Sequence, residues 1–162
     1  MTVITVHSAR GRFTQDQRRQ LAETLTDAVL VPEVGRFAPA ARIGFQVHFT
    51  ERDIDSMAIG GVLLADQDPR PDVMVIDIAV MDGDWTREVR KDVIERILAA
   101  LTEATGVRTP SPTWWINFRV IEEGSWGSRG GVLSILDLLG SGVFTEDKAA
   151  GIRAHIAAVT SA

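Results

Sequence analysis

Hydrophobic and polar positions first form a pattern typical of a strand, a helix and a second strand. The β-branched run 3–6 leads into a polar loop and then to Thr14 and Gln17, the T-x-x-Q pattern of a helix capping box. Apolar residues then recur at helical spacing until Gly35, and apolar and polar residues alternate over 43–50. The first passage therefore predicts a βαβ unit.

The same order returns after a proline-rich break. An apolar run over 73–81 predicts a third strand, and Thr86 can cap a helix that Gly106 can end. Alternation over 114–122 predicts a fourth strand. The two passages align at a shift of roughly 72 positions, which favours an internal duplication.

Two such units predict an α+β fold with one four-stranded mixed sheet and two helices on one of its faces. Right-handed crossovers make the strands of each unit parallel, and the two units meet antiparallel. We expect one domain over 1–162, with pseudo-repeats 2–61 and 73–131 and a C-terminal arm and helix over 132–162. The uncovered sheet face carries polar and aromatic side chains, so we expect a homo-oligomer to bury it.

Composition narrows the possible chemistry. Hydrophobic residues make up 45% and charged residues 24% of the 162 residues, and the net charge of −5 argues against nucleic-acid and anionic-membrane partners. The absence of Cys and Tyr excludes disulfides, thiol nucleophiles, cysteine-ligated metals and phenol acids. No signal peptide or long apolar run is visible, so we expect a cytoplasmic protein. All but two of the 17 basic residues are Arg, a bias typical of high-GC bacterial genomes.

Several motifs, in this order, resemble those of the tautomerase superfamily. The first strand runs into Gly11 and Arg12 ahead of the capped helix, and the glycine-containing segments 57–61 and 126–131 follow the second and fourth strands. The resemblance is strongest to the long members made of two fused units, such as malonate semialdehyde decarboxylase and cis-3-chloroacrylic acid dehalogenase. It covers roughly residues 2–144 and implies a trimer that needs no cofactor.

Two departures from that resemblance bear on chemistry. The superfamily uses an N-terminal proline, exposed by removal of the initiator Met, and here Thr2 takes the matching position. Removal of Met1 would give Thr2 a primary amine, whereas a retained Met1 leaves an amide and a hydroxyl. Fused members also commonly place two Arg after the third strand, where this chain has Asp82 and Asp84. Two acids there argue against a small dicarboxylate or halo-acid substrate.

Seven residues are candidates for the site. The candidates for catalysis are Thr2, His7 and Arg12. The candidates for substrate binding are Trp126, Arg129, Arg119 and His48. His7 is placed in the loop after the first strand, as a general base or as a cap of backbone groups, and His155 is placed on the surface. We expect no metal, because the three His lack ligand spacing and no Cys accompanies them.

These observations favour a cofactor-free isomerase or lyase that acts on a small keto or enol substrate without the usual proline base. We expect its pocket at the start of the first strand, with Thr2, His7, Arg12 and Trp126 near it. Two alternatives stay open. The chain could be a catalytically degenerate member that binds a ligand or serves as a scaffold, or a tailoring enzyme of bacterial secondary metabolism.

Overall fold

Two βαβ units form the core of the molecule. A computed structural model describes residues 1–128 and 130–161. Its strands and helices are β1 (Thr2–Ala9), α1 (Gln15–Val34), β2 (Phe45–Arg52), β3 (Ala58–Ile59), β4 (Val62–Leu63), β5 (Met74–Met81), α2 (Arg87–Thr105), β6 (Trp114–Ile121), β7 (Gly127–Ser128), β8 (Gly131–Val132), α3 (Ile135–Leu139) and α4 (Glu146–Thr160). No helix in these described parts is long and apolar enough to cross a membrane.

The main sheet has the strand order β2-β1-β5-β6. β1 is parallel to β2, β5 is parallel to β6, and β1 pairs with β5 in the antiparallel direction. The predicted α+β fold, with two fused βαβ units in one mixed sheet, is therefore confirmed.

The two long helices begin and end as their cap residues dictate. Thr14 accepts a hydrogen bond from the backbone N–H of Gln17 and donates its own N–H to the Gln17 side chain, which completes a capping box. Thr86 accepts from the N–H of Val89 at the start of α2. Both helices end at glycines in the left-handed conformation, Gly35 with φ 84° and Gly106 with φ 69°.

The core lies between the helices and one sheet face. On β1 the even positions Ile4 and Val6 are buried, and they pack with apolar residues of β5 and of both helices. Each fully buried aliphatic side chain of this kind stabilises the fold by about 1.5–3 kcal/mol. The odd positions of β1 face the other way, toward a sheet face that no helix within 1–128 or 130–161 covers, called here the open face.

The C-terminal arm forms a second apolar cluster around the end of β5. Met81 packs there with apolar residues of α3 and α4, and Met1 and Trp126 border the cluster. Asp82 lies 2.9 Å from His155 Nε2, and Asp84 lies 3.6 Å from Lys148 Nζ. The two acids that stand where the resemblance implies arginines therefore hold α4 against the β5–α2 turn.

One of the two histidine placements differs from the sequence-based expectation. His7 was placed in a loop, but β1 continues to Ala9, so His7 lies within the strand and pairs with Val75 of β5. Its backbone continues the ladder because both neighbouring strands extend beside it. His155 has 40% of its side chain exposed, in keeping with a surface position, and its Nε2 also contacts Asp82.

Candidate functional site

An apolar cavity of about 280 Å³ lies at the start of β1. Its walls are the last turn of α1, the 3-10 turn Pro39–Gly44, and the chain between α3 and α4 at 138–144. Leu30, Ile43 and Phe144 give it a mainly hydrocarbon surface. A pocket of this size and character is typical of a small-molecule site.

Close packing between α1 and the arm shapes the cavity. The N–H of Thr145 donates to the carbonyl of Val34 at 2.9 Å, and Arg36 donates to the carbonyls of Val143 and Gly142. A Cβ on Gly35 would lie 2.5 Å from Thr145 Oγ1, so only glycine permits this approach. The end of α1 thereby fixes the arm as a wall of the cavity.

A buried carboxyl group, Glu33, lines this cavity. The side chain of Thr2, 1% exposed, donates from Oγ1 to Glu33 Oε2 at 3.3 Å, and Glu33 is 9% exposed. Burial raises the pKa of Glu33, while the N-terminal ammonium and the Thr2 hydrogen bond oppose that rise without cancelling it. A carboxyl whose pKa is raised in this way can both take and return a proton during a reaction.

The N-terminus belongs to the same site. The ammonium group of Met1 lies 3.7 Å from the sulfur of Met81, and Met1 lines the cavity. A Cβ on Gly44 would lie 3.4 Å from the Met1 sulfur, so the Met1 side chain packs along the Pro39–Gly44 turn. A positive charge therefore lies close enough to Glu33 to favour its ionised form.

Of the predicted site residues, Thr2 and Trp126 lie at this end of the sheet. Thr2 holds Glu33, and Trp126 is a half-buried neighbour of the apolar cluster that also contacts Met1. Arg129 lies outside the described residues, so its predicted role as a substrate contact is a matter for experiment.

The structure does not bring His7 or Arg12 to the cavity. His7 lies five residues farther along β1, roughly 16 Å away, and faces the opposite side of the sheet. Its Nε2 lies 3.2 Å from Asp77 Oδ2. Arg12 donates to both carboxylate oxygens of Asp72 at 2.8 and 2.7 Å, so its guanidinium already holds a carboxylate.

His48 and Arg119 lie on the open face. His48 Nε2 is 3.1 Å from the side-chain oxygen of Gln46, and Arg119 borders a depression of about 350 Å³ together with His7 and Asp77. The His7 and Asp77 side chains there are 25% and 50% exposed, so both are more solvated than Glu33. In residues 1–128 and 130–161, no cluster of three or more His, Asp or Glu has the arrangement of a metal site.

Sequence reasoning missed Glu33, although a signal for it existed. Leu25, Val29 and Glu33 follow one another at i, i+4 spacing, so the acid continues the buried stripe of α1. An ionisable residue on an apolar stripe is expensive unless it is partnered, and it is therefore a candidate for function.

Comparison with solved structures places the fold among tautomerase-like proteins. A member of the cis-3-chloroacrylic acid dehalogenase family is 19% identical with a TM-score of 0.67, covering 93% of this chain and 98% of that chain. A wild-type fused 4-OT, described as an asymmetric trimer, is 18% identical with a TM-score of 0.65, covering 80% and 94%. Pt0534 inactivated by 2-oxo-3-pentynoate is 21% identical with a TM-score of 0.65, covering 84% and 98%.

Comparison of sequences gives no match, in contrast to the comparison of folds. No protein-family model matches the chain, and no curated protein matches it in sequence. The predicted resemblance to the tautomerase superfamily is therefore confirmed at the level of the fold.

Proposed function

We propose that this chain is a cofactor-free isomerase or lyase for a small keto or enol substrate, and that Glu33 serves as its base in place of the usual proline. One observation carries the proposal. A buried carboxyl, Glu33, and the N-terminal residue Met1 both line an apolar cavity at the start of β1, and the N-terminal charge acts on that carboxyl. That is the end of the strand where the superfamily resemblance places its catalytic amine.

The chemistry needs one base and one acid. Glu33, ionised, removes a proton from the carbon beside the substrate carbonyl, and the electrons of that C–H bond form a carbon–carbon double bond. The carbonyl oxygen then takes a proton from the N-terminal ammonium, which gives the enol. Glu33 now carries the proton removed from carbon and the amine lacks the one it gave to oxygen, so proton transfer from Glu33 to the amine restores the starting state.

The surroundings support this step. Thr2 fixes one oxygen of Glu33 through its hydroxyl, which leaves the other oxygen for the substrate. The apolar walls offer few competing polar groups, so the attraction between the amine and the developing oxyanion is less screened there than in bulk water. Removal of Met1 would transfer the amine to Thr2, directly beside the carboxyl it already contacts.

Assembly as a homo-oligomer, specifically a trimer, is part of the proposal. The open face exposes Trp115 and carries the polar side chains of His7, Asp77 and Arg119 without a covering layer. A fused 4-OT of the same fold is described as a trimer, which supports three copies. In that assembly His48 and Arg119, which the sequence predicts as substrate contacts, lie at an interface between copies.

The decisive experiment is ketonisation of the enol of methyl phenylpyruvate, followed by ultraviolet absorbance. Glu33→Gln keeps the shape and the Thr2 hydrogen bond but removes the base, so kcat/KM should fall about 10²–10⁴-fold. Glu103→Gln makes the same change on an exposed position of α2 and should stay within about twofold of the wild-type chain. A folded Glu33→Gln variant with wild-type kcat/KM would refute the proposal.

One observation favours the alternative of a ligand-binding protein. Met1 forms part of the cavity wall, and while it is retained Thr2 has no amine. If intact-mass measurement of the native protein shows Met1 in place and the enol ketonises at the buffer rate, binding without turnover becomes the better account. A tailoring role in bacterial metabolism and a cytoplasmic location stay predictions from composition.

A further inference from the structure

We infer that the cavity at the start of β1 selects an uncharged carbonyl compound with an apolar body and discriminates against substrates that carry a carboxylate. The inference rests on the proposed function in one respect, since it names the substrate class of that same site. It is argued from the size, walls and charges of the cavity.

The size and the walls of the cavity determine which apolar part of a ligand it can hold. A cavity of roughly 150 Å³ holds benzene, so about 280 Å³ accommodates roughly a dozen non-hydrogen atoms. Leu30, Val34, Ile43, Phe45 and Phe144 surround this space. A ring or branched chain attached to one polar group matches such a surface.

The ionisable groups that line the cavity determine which ligand charge it accepts. In the described part of the chain, the lining residues carry two ionisable groups, the Glu33 carboxyl and the amino group of Met1, and they act on each other. A substrate carboxylate would lose hydration against the apolar walls, lie beside the Glu33 carboxyl, and depend on one ammonium that already acts on Glu33. An uncharged carbonyl meets none of these costs and can accept a hydrogen bond.

The arginines that flank the cavity already bind carboxylates or backbone carbonyls of this chain. Arg42 belongs to the Pro39–Gly44 turn, yet its guanidinium binds Asp27 at 2.8 Å and Glu23 at 3.0 Å. Arg36 donates to carbonyl groups of the arm. No described arginine therefore lines the cavity as a clamp for a carboxylate.

A matched pair of ligands tests this inference. Phenylpyruvate and its methyl ester differ by one methyl group and one charge, and calorimetry can measure the Kd of each for the full-length protein. We expect the ester to bind at least tenfold more tightly than the acid. Equal affinity, tighter binding of the acid, or no binding of the ester would overturn the inference, and none of these measurements requires a variant.

The Glu33→Gln variant supplies a second test, in which the preference for the ester over the acid should weaken. Glu33→Gln removes the acid that opposes a substrate carboxylate, so at a pH where the wild-type Glu33 is ionised we expect the affinity for phenylpyruvate to rise at least tenfold while that for the ester changes little. Glu103→Gln should keep the wild-type ratio. An unchanged ratio in folded Glu33→Gln would show that charge balance does not set the selectivity, and the inference would be wrong.

Failure of this inference and failure of the proposed function give different results. If the ester binds but its enol ketonises only at the buffer rate, the ligand class stands and the catalytic proposal fails. If acid and ester ketonise with equal kcat/KM through Glu33, the catalytic proposal stands and the selectivity fails.

Discussion

The two βαβ units share one architecture but differ where their helices end. Glu33 lies two residues before Gly35 in α1, and Ala104 lies two residues before Gly106 in α2. Both positions are buried, with 9% and 8% of their surface exposed. One unit therefore has a carboxyl where the other has a methyl group.

The strands that start the two units differ as well. β1 starts at Thr2, whose hydroxyl binds Glu33, whereas β5 starts at Met74, which pairs with the buried Trp114. The corresponding place in the second unit is filled with apolar side chains. The same scaffold thus serves as a candidate site in one unit and as packing in the other, and a few positions decide between them.

The largest expected loss of stability tests whether the two βαβ units are packed equally well. Leu25 of α1 and Ile97 of α2 are both fully buried in the shared core. Leu25→Ala and Ile97→Ala should each lower the free energy of unfolding by about 2–5 kcal/mol. Urea unfolding measures both, and a cost confined to one helix would show that the units are not equivalent in packing.

A carboxyl introduced into the second unit tests whether the buried Glu33 of the first unit depends on the Thr2 hydroxyl and the N-terminal amine. Ala104→Glu would bury an acid that has neither the Thr2 hydroxyl nor the N-terminal amine beside it, so it should destabilise the protein by about 1–3 kcal/mol at neutral pH. Thermal unfolding of Ala104→Glu and Ala104→Gln checks this. Wild-type stability for both variants would contradict it.

The glycines that end α1 and α2 also differ, in what a side chain added at each position would contact. Gly106→Ala meets open space and bears only the cost of its left-handed conformation, about 1–2 kcal/mol. Gly35→Ala adds a clash with Thr145, so it should cost at least about 1 kcal/mol more and also weaken ligand binding. Equal unfolding midpoints for the two variants would argue against the close approach of the arm to α1.

The pH dependence of stability gives a smaller effect with a definite sign. The pKa of Glu33 is raised in the folded protein, so folding favours its protonated form. This contribution is present below the ordinary glutamate pKa of about 4.3 and is lost as the pH rises through the raised folded value. The stability of Glu33→Gln relative to the wild-type chain should therefore grow with pH across that window. A difference that is constant with pH would contradict the raised pKa.

The fold could be predicted from sequence because its signals are local. Thr14 with Gln17, Thr86, and the glycines at 35 and 106 mark the helix ends through hydrogen bonds within a few residues. Alternation of apolar residues then shows which strand face meets the helices, and the helical crossover within each unit fixes the parallel pairing.

The site could be predicted only in part, since it depends on contacts distant in sequence. The position of Thr2 followed from its resemblance to the superfamily. The arm that walls the cavity reaches α1 through Thr145 and Arg36, and no local pattern indicates that contact. The sequence predicts His7 in a loop after the first strand and near the pocket, yet β1 includes it, and five residues of strand place it on the opposite face from Thr2.

The central claim is that the ligand site lies at the start of the first unit, where the C-terminal arm completes its wall, and locating a bound ketone tests it most directly. In a crystal structure with methyl phenylpyruvate, we predict density in the cavity between Glu33 and Phe144, with the keto oxygen or the adjacent carbon within hydrogen-bond reach of the Glu33 carboxyl or the N-terminal amine. The ligand bound on the open face between His7 and Asp77, with the cavity empty, would contradict the claim.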